Sequence, residues 1–214
     1  MLKEYNTILE DGRDEFSVSR SRFIGWSRPA KTEEEALAFI EEIKKKHWDA
    51  THNVWAYVLG EGGNIQRFSD DGEPSSSAGI PALEVIRKKG LQDVAVVVTR
   101  YFGGVKLGMG GLVRAYTQGA AIALAAGKII TRKPYLTRFV ETEYSSVGKL
   151  QREFQQRDFP LAETEYGQKV IFRVLVSPQR LAELENFVLE STAGQALFRE
   201  GPEVYVSIPR DPAS

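Results

Sequence analysis

Thr99-Arg100-Tyr101-Phe102-Gly103-Gly104-Val105-Lys106-Leu107-Gly108-Met109-Gly110-Gly111-Leu112 joins an apolar run at residues 94–98 to a helical pattern at residues 111–126. Five successive apolar residues predict a central strand buried on both faces. The five glycines after it predict a tight passage into the helix. Glycine reaches positive φ without strain and lets backbone N–H groups approach a ligand closely. A helix start with unpaired N–H groups behind such a loop suits an anion. Two familiar glycine signatures fit only in part. Gly103-x-x-x-x-Gly108 has P-loop spacing, but Met109 and Gly110 stand where Lys and Ser/Thr are needed. Gly108-Met109-Gly110 opens a dinucleotide fingerprint whose third glycine position is Val113. P-loop nucleotide hydrolysis and Rossmann-type binding are therefore disfavoured.

Working outward, alternation at residues 15–20 and 22–26 predicts early strands. Thr32 and Glu35 form a capping box ahead of a helix whose apolar face is Ala36, Leu37, Phe39, Ile40 and Ile43. Lys44, Lys45 and Lys46 complement the negative end of its dipole. Residues 53–59 and 65–68 read as a hairpin around the glycines at residues 60–63. A polar loop follows at residues 69–79, then a helix from Pro81 to Lys89, stopped by Gly90. Residues 128–134 read as a linker. Beyond it, strands at 139–144, 161–166, 169–176 and near 196–199, with helices at 146–157 and 178–191, give the βαββαβ order of a ferredoxin-like split. Residues 204–208 add or extend a strand. The expected organisation is α+β with two domains, residues 1–133 and 134–214.

Composition limits the partners. A net charge of −1 and a charged fraction of 27% give no global attraction to nucleic acid or membrane. Any nucleic-acid contact must be a local patch, and the slight basic excess of the first part places it there. The absence of cysteine removes disulfides, thiol catalysis and Cys-ligated metal, and fits a reducing cytoplasm. Met1-Leu2-Lys3-Glu4-Tyr5 lacks the apolar core of a signal peptide, and no stretch approaches the roughly 18 apolar residues of a membrane span. A cytoplasmic protein with no membrane partner is expected.

Two groups of candidate site residues emerge. Arg22, Arg100, Lys106 and Arg114 are candidate phosphate contacts, with Gly103, Gly104, Gly108, Gly110 and Gly111 exposing backbone donors. Tyr101 and Phe102 are either base-stacking or core residues. Ser76 and Ser77 supply hydroxyls at a second helix start, so two anion-holding ends are expected to converge. Asp49, His52, Asp70, Asp71 and Glu73 line or brace the same cleft. The acidic group is no EF-hand, because Pro81 occupies the position of the bidentate Glu. His47 and His52, five apart and without cysteine, make a poor metal site. No metal, no cofactor and no catalytic residue is assigned.

Ser21-Arg22-Phe23-Ile24, Asp49-Ala50-Thr51-His52, Ala56-Tyr57, Phe68-Ser69-Asp70-Asp71-Gly72-Glu73-Pro74, Ala78-Gly79 and Arg100-Tyr101-Phe102-Gly103-Gly104 through Gly108-x-Gly110-Gly111-Leu112 together resemble the IMPACT/YigZ family. Residues 137–200 are similar to the C-terminal domain of its bacterial members. The resemblance implies a first domain like the second domain of ribosomal protein S5, with a left-handed βαβ unit. It implies a ferredoxin-like second domain similar to the last domain of elongation factor G. Eukaryotic relatives act in translational control through an extra N-terminal domain that has no counterpart in this chain, so that role is not carried over. Bacterial members are associated with RNA or ribosome binding, and some have been labelled proline dipeptidases. The family often reads Asp-Ala-x-His-His/Asn-Cys, whereas Asn53-Val54 follow His52 here; no thiol role transfers. The expected function is translation-associated binding to RNA or the ribosome, in a regulatory or stress setting, with the second domain meeting a translation-related protein or ribosomal surface. The competing expectation is a metal-assisted hydrolase, dipeptidase-like, or a nucleotide-dependent enzyme built on the Asp/Glu/His cluster.

Overall fold

Alternating side chains on one central strand organise the first of two units. The computed structural model describes residues 3–210; Met1 and Leu2 of the N-terminal stretch read above, and residues 211–214, lie outside them. The first unit spans Tyr5–Arg132 and takes in the chain again from Ser207, whereas the second is built on Lys133–Val206 with Lys3 and Glu4.

The first unit contains β1 (Tyr5–Ile8), β2 (Gly12–Val18), β3 (Ser21–Pro29), α1 (Glu33–Lys46), β4 (His52–Leu59), β5 (Ile65–Ser69), α2 (Gly79–Lys88), β6 (Val94–Tyr101) and α3 (Gly108–Ala126). Its main sheet has the order β2-β3-β6-β4-β5, with every neighbouring pair antiparallel. β3 and β4 both pair with β6 and therefore run parallel to each other. Parallel strands need a crossover, and α1 supplies it. One face buries Phe23, Val54, Ala56, Val58, Val94, Val96 and Val98 against α2 and α3. The other buries Ile24, Trp26, Leu59, Ala95 and Val97 against Phe39, Ile40 and Ile43 of α1. β6 is thus enclosed on both faces, as its unbroken apolar run implies. Thr32 Oγ1 accepts the Glu35 N–H at 3.2 Å, while Glu35 Oε2 reaches back to the Lys31 N–H at 2.6 Å, one residue beyond the cap.

Two elements differ from expectation. α3 begins three residues early, at Gly108, so the last glycines are helical rather than loop. Residues 128–134 are not a linker. From Ile129 they belong to β7 (Ile129–Thr142), whose start pairs with β1 and whose later part pairs with the second unit's sheet. Pro134 falls between the stretch that pairs with β1 and the stretch that pairs with β9, so its missing N–H interrupts neither ladder.

The second unit continues with α4 (Tyr144–Gln156), β8 (Leu161–Tyr166), β9 (Val170–Val176), α5 (Leu181–Ser191) and β10 (Leu197–Pro209). β7 lies between β10 and β9, and β8 pairs with the far side of β9, which is the ferredoxin-like order. Val170, Phe172, Val174 and Val176 point into a core with Leu150, Phe154, Leu184 and Phe187. Residues 204–208 extend the strand expected near 196–199, giving one continuous β10. The chain is accordingly a mixed α+β protein with two sheets, and no helix among the described residues is long and apolar enough to cross a membrane.

Helix and sheet meet closely in the first unit. A Cβ at Gly25 would collide with the Gly119 carbonyl oxygen, and one at Gly119 would lie 2.7 Å from Val98 Cγ1. Gly25→Ala is expected to cost about 1–3 kcal/mol by forcing α3 off β3. Urea unfolding measures this; an unchanged midpoint would contradict the packing.

Candidate functional site

Phe16, Phe23, Arg100 and His52 stand opposite one another on β2, β3, β6 and β4, forming one row across the sheet on the face covered by α2 and α3. Phe16 and Phe23 stack at 5.3 Å, and Tyr116 of α3 meets Phe23 edge-on at 5.5 Å. Arg100 is only 6% exposed. Its Nη1 donates to Glu73 Oε1 at 2.6 Å, and the Tyr116 hydroxyl donates to the same oxygen at 2.6 Å. A buried guanidinium and a buried carboxylate each carry a large desolvation cost, which the pairing offsets. Burial, and then the hydrogen bond to Glu73, push the Tyr116 phenol far above its ordinary value, so it serves as a donor. His52 Nδ1 donates to the Asp71 carbonyl at 2.7 Å, which turns Nε2 toward Glu73 Oε2 at 3.9 Å.

The acidic loop is occupied from within. Asp70 accepts the N–H groups of Ser76, Ala78 and Gly79 at 2.9, 3.1 and 2.8 Å. The helix start at Ser76 and Ser77 therefore holds the chain's own carboxylate in place of an external anion. Ser77 Oγ is turned inward to the Pro74 carbonyl, 2.6 Å away. Asp71 accepts the Asn53 N–H at 2.7 Å and pairs with Lys44 at 3.2 Å. Gly72, at φ +87°, packs so tightly on His52 that a Cβ would sit 3.3 Å from the imidazole. Among the described residues, no group of three or more His, Asp or Glu is arranged to hold a metal ion.

Tyr101 belongs to the opposite face, packed against the α1-side core. Its hydroxyl donates to Asp49 Oδ1 at 3.1 Å and accepts from His47 Nδ1 at 2.9 Å. Burial and Asp49 raise the Tyr101 phenol. Burial, then Lys46, lower His47, which keeps the ring neutral with Nε2 enclosed and unpartnered. Arg22 donates to Glu15 at 2.8 Å, an oxygen it shares with Arg13.

The remaining basic residues gather elsewhere. Lys106, Gly111, Arg114 and Gln118 on one side, and Phe16, Val18 and Ser19 on the other, enclose a cleft of about 380 Å³. No carboxylate lines it, and neither Lys106 nor Arg114 forms an ion pair among the described residues. The adjoining start of α3 has no side-chain cap. Gly104 and Gly108 take φ of +85° and +66°, while a Cβ at Gly110 would meet nothing within 4 Å. Gly103 is held by packing: a Cβ there would collide with the Arg20 carbonyl.

Of the basic residues singled out by sequence, Lys106 and Arg114 thus share a cleft, Arg100 is buried behind its wall, and Arg22 is paired elsewhere. The sequence motifs mark neither Tyr116 nor Phe16 as a site residue. A phenol within an otherwise apolar helix face was the one available signal.

The Impact N-terminal domain model matches residues 19–124, and that of the Domain of unknown function (DUF1949) matches residues 140–195. Over 206 residues the chain is 41% identical to the IMPACT family member YvyE of Bacillus subtilis, spanning 96% of this chain and 95% of that one. It is 34% identical over 192 residues to the IMPACT family member YigZ of Escherichia coli, spanning 88% and 90%. A crystal structure of a hypothetical protein is similar with a TM-score of 0.59 at 28% identity, over 94% of this chain and 99% of the other.

Glu73→Ala strands a buried guanidinium and is expected to destabilise the protein by about 3–5 kcal/mol; equilibrium unfolding at neutral pH reads this, and a loss below 1 kcal/mol, or roughly a fivefold change in the folding equilibrium, would show the pair to be dispensable. His47 gives a pH dependence. Its value is lowered in the fold, so the unfolded chain takes up the proton first as pH falls. Stability from the neutral ring is complete above about pH 6.5 and is lost as pH falls through the lowered value. Thermal midpoints followed from about pH 8 to about pH 5 should decline less steeply in His47→Gln.

Proposed function

The chain belongs to the IMPACT family, and we propose that it is a translation-associated protein that binds RNA through the first unit, in the cytoplasm. The cleft between α3 and β2 carries this reading. Two unpaired cations, Lys106 and Arg114, flank it beside an uncapped helix start whose glycines leave backbone N–H groups uncovered. Phosphate oxygens are the ligand chemistry that matches such a combination. In this reading Arg100 is a positioning residue: it fixes the wall under Phe23 and Phe16 and leaves the phosphates to Lys106 and Arg114. The likeness to ribosomal and elongation-factor domains implied by the family's motifs fits a ribosomal target for the same surface.

The hydrolase alternative draws no comparable support. Asp70, Asp71 and Glu73 each accept internal hydrogen bonds, a bracing arrangement that leaves little carboxylate free for chemistry.

Binding of the purified protein to short RNAs and to ribosomal subunits across a salt series tests the proposal. Affinity should fall steeply with salt. Lys106→Ala combined with Arg114→Ala should weaken binding at every salt and reduce the slope of log K against log salt by about 1.5. Salt-independent binding, or a double variant indistinguishable from the parent, would defeat it.

A further inference from the structure

The end of the first sheet that carries the glycine loop also carries an exposed indole. α1 closes at His47, and in the turn that follows, Trp48 stands 83% exposed, more than any other large apolar side chain among the described residues. The other two tryptophans are used in packing. Trp26 lies in the core under Lys46, whose ammonium is 4.7 Å from its ring, and Trp55 stacks on Tyr57 at 5.7 Å. An isolated surface apolar residue needs no explanation. Trp48 is not isolated: Lys45 and Lys46 precede it, both exposed.

Its turn is also tied to the glycine loop. Asp49 accepts the Tyr101 hydroxyl, Thr51 Oγ1 accepts the Phe102 N–H at 2.9 Å, and the Thr51 N–H donates to the Arg100 carbonyl at 2.9 Å. Phe102 opens that loop with 47% of its surface exposed, and the Arg100 guanidinium carbon lies 5.4 Å from its ring centroid. Two exposed rings are therefore held on hydrogen-bonded turns, with Lys45 and Lys46 just before one in sequence and Lys106 four residues after the other. Aromatic platforms interleaved with cations bind single strands, because every unpaired base offers a flat face and every nucleotide a phosphate. A duplex keeps its base faces stacked inside and presents neither ring with a partner.

We propose that Trp48 and Phe102 are stacking platforms for the bases of single-stranded RNA, with Lys45, Lys46 and Lys106 holding its phosphates. This rests on the RNA-binding reading above and narrows the ligand to unpaired strands.

The test uses the full chain, a short oligouridine and an RNA duplex, each labelled for anisotropy, with intrinsic tryptophan emission followed in parallel. The single strand should bind more tightly than the duplex and quench the emission. Trp48→Phe should keep most of the affinity while losing the quench. Trp48→Ala and Phe102→Ala should each weaken single-strand binding by at least about fivefold; both positions are exposed, so folding is not at stake. Equal affinity for duplex, or Trp48→Ala binding as the parent does, would overturn the stacking proposal while leaving RNA binding intact. No binding of either RNA at low salt would instead remove the reading beneath it.

Discussion

The buried pair of Arg100 and Glu73, with Tyr116 donating to the same carboxylate oxygen, is the constraint on which the first unit depends. Three acidic positions in one loop divide the work. Asp70 closes the start of α2, Asp71 ties β4 to Lys44 of α1, and Glu73 joins β6 to α3. A loop that is irregular by backbone is thereby a junction for five elements. Its acidic residues brace the fold because every one of them meets an internal donor, and at the buried Glu73 a lost donor is expensive. The open cleft exists because this junction is elsewhere: with the carboxylates drawn to one side of the row, the side at Phe16 is left with cations alone.

Much of the fold was legible. The five-residue apolar run could only be a strand covered on both faces, Thr32 and Glu35 announced α1, and the order of elements after residue 134 gave the second unit's topology. What escaped was non-local. Tyr5–Ile8 is too short to show a period, and its partner lies at the start of β7. Residues 128–134 contain a proline and three charges that look like punctuation, yet from Ile129 the chain runs extended because strands on either side supply the pairing. Local propensity was overridden by partners that local sequence does not display.

The site was legible as a neighbourhood but not as an assignment of roles. The motifs drew attention to glycines and cations, but whether a cation is free depends on contacts far along the chain. Arg100 finds its carboxylate 27 residues away, and Tyr116 reaches the same group across 43. Trp48 went unremarked for a related reason: sequence shows that an indole follows a helix, whereas only the packing shows that nothing covers it.

The strand order of the first sheet has a consequence for how the chain acquires its shape. β6 is the last of the five strands to appear in sequence, yet it occupies the centre, between β3 and β4. During synthesis β3 and β4 emerge without the strand that will separate them, each with an unpaired edge and apolar side chains bare on both faces. The only closure available at that stage is the β4–β5 hairpin and the β2–β3 hairpin, two ribbons joined by α1. Insertion of β6 then completes both ladders at once, across sequence separations that make it the slow event. Folding of this unit is therefore gated by the arrival of the residues that precede the glycine loop, and the nascent chain must be kept from pairing wrongly until they emerge.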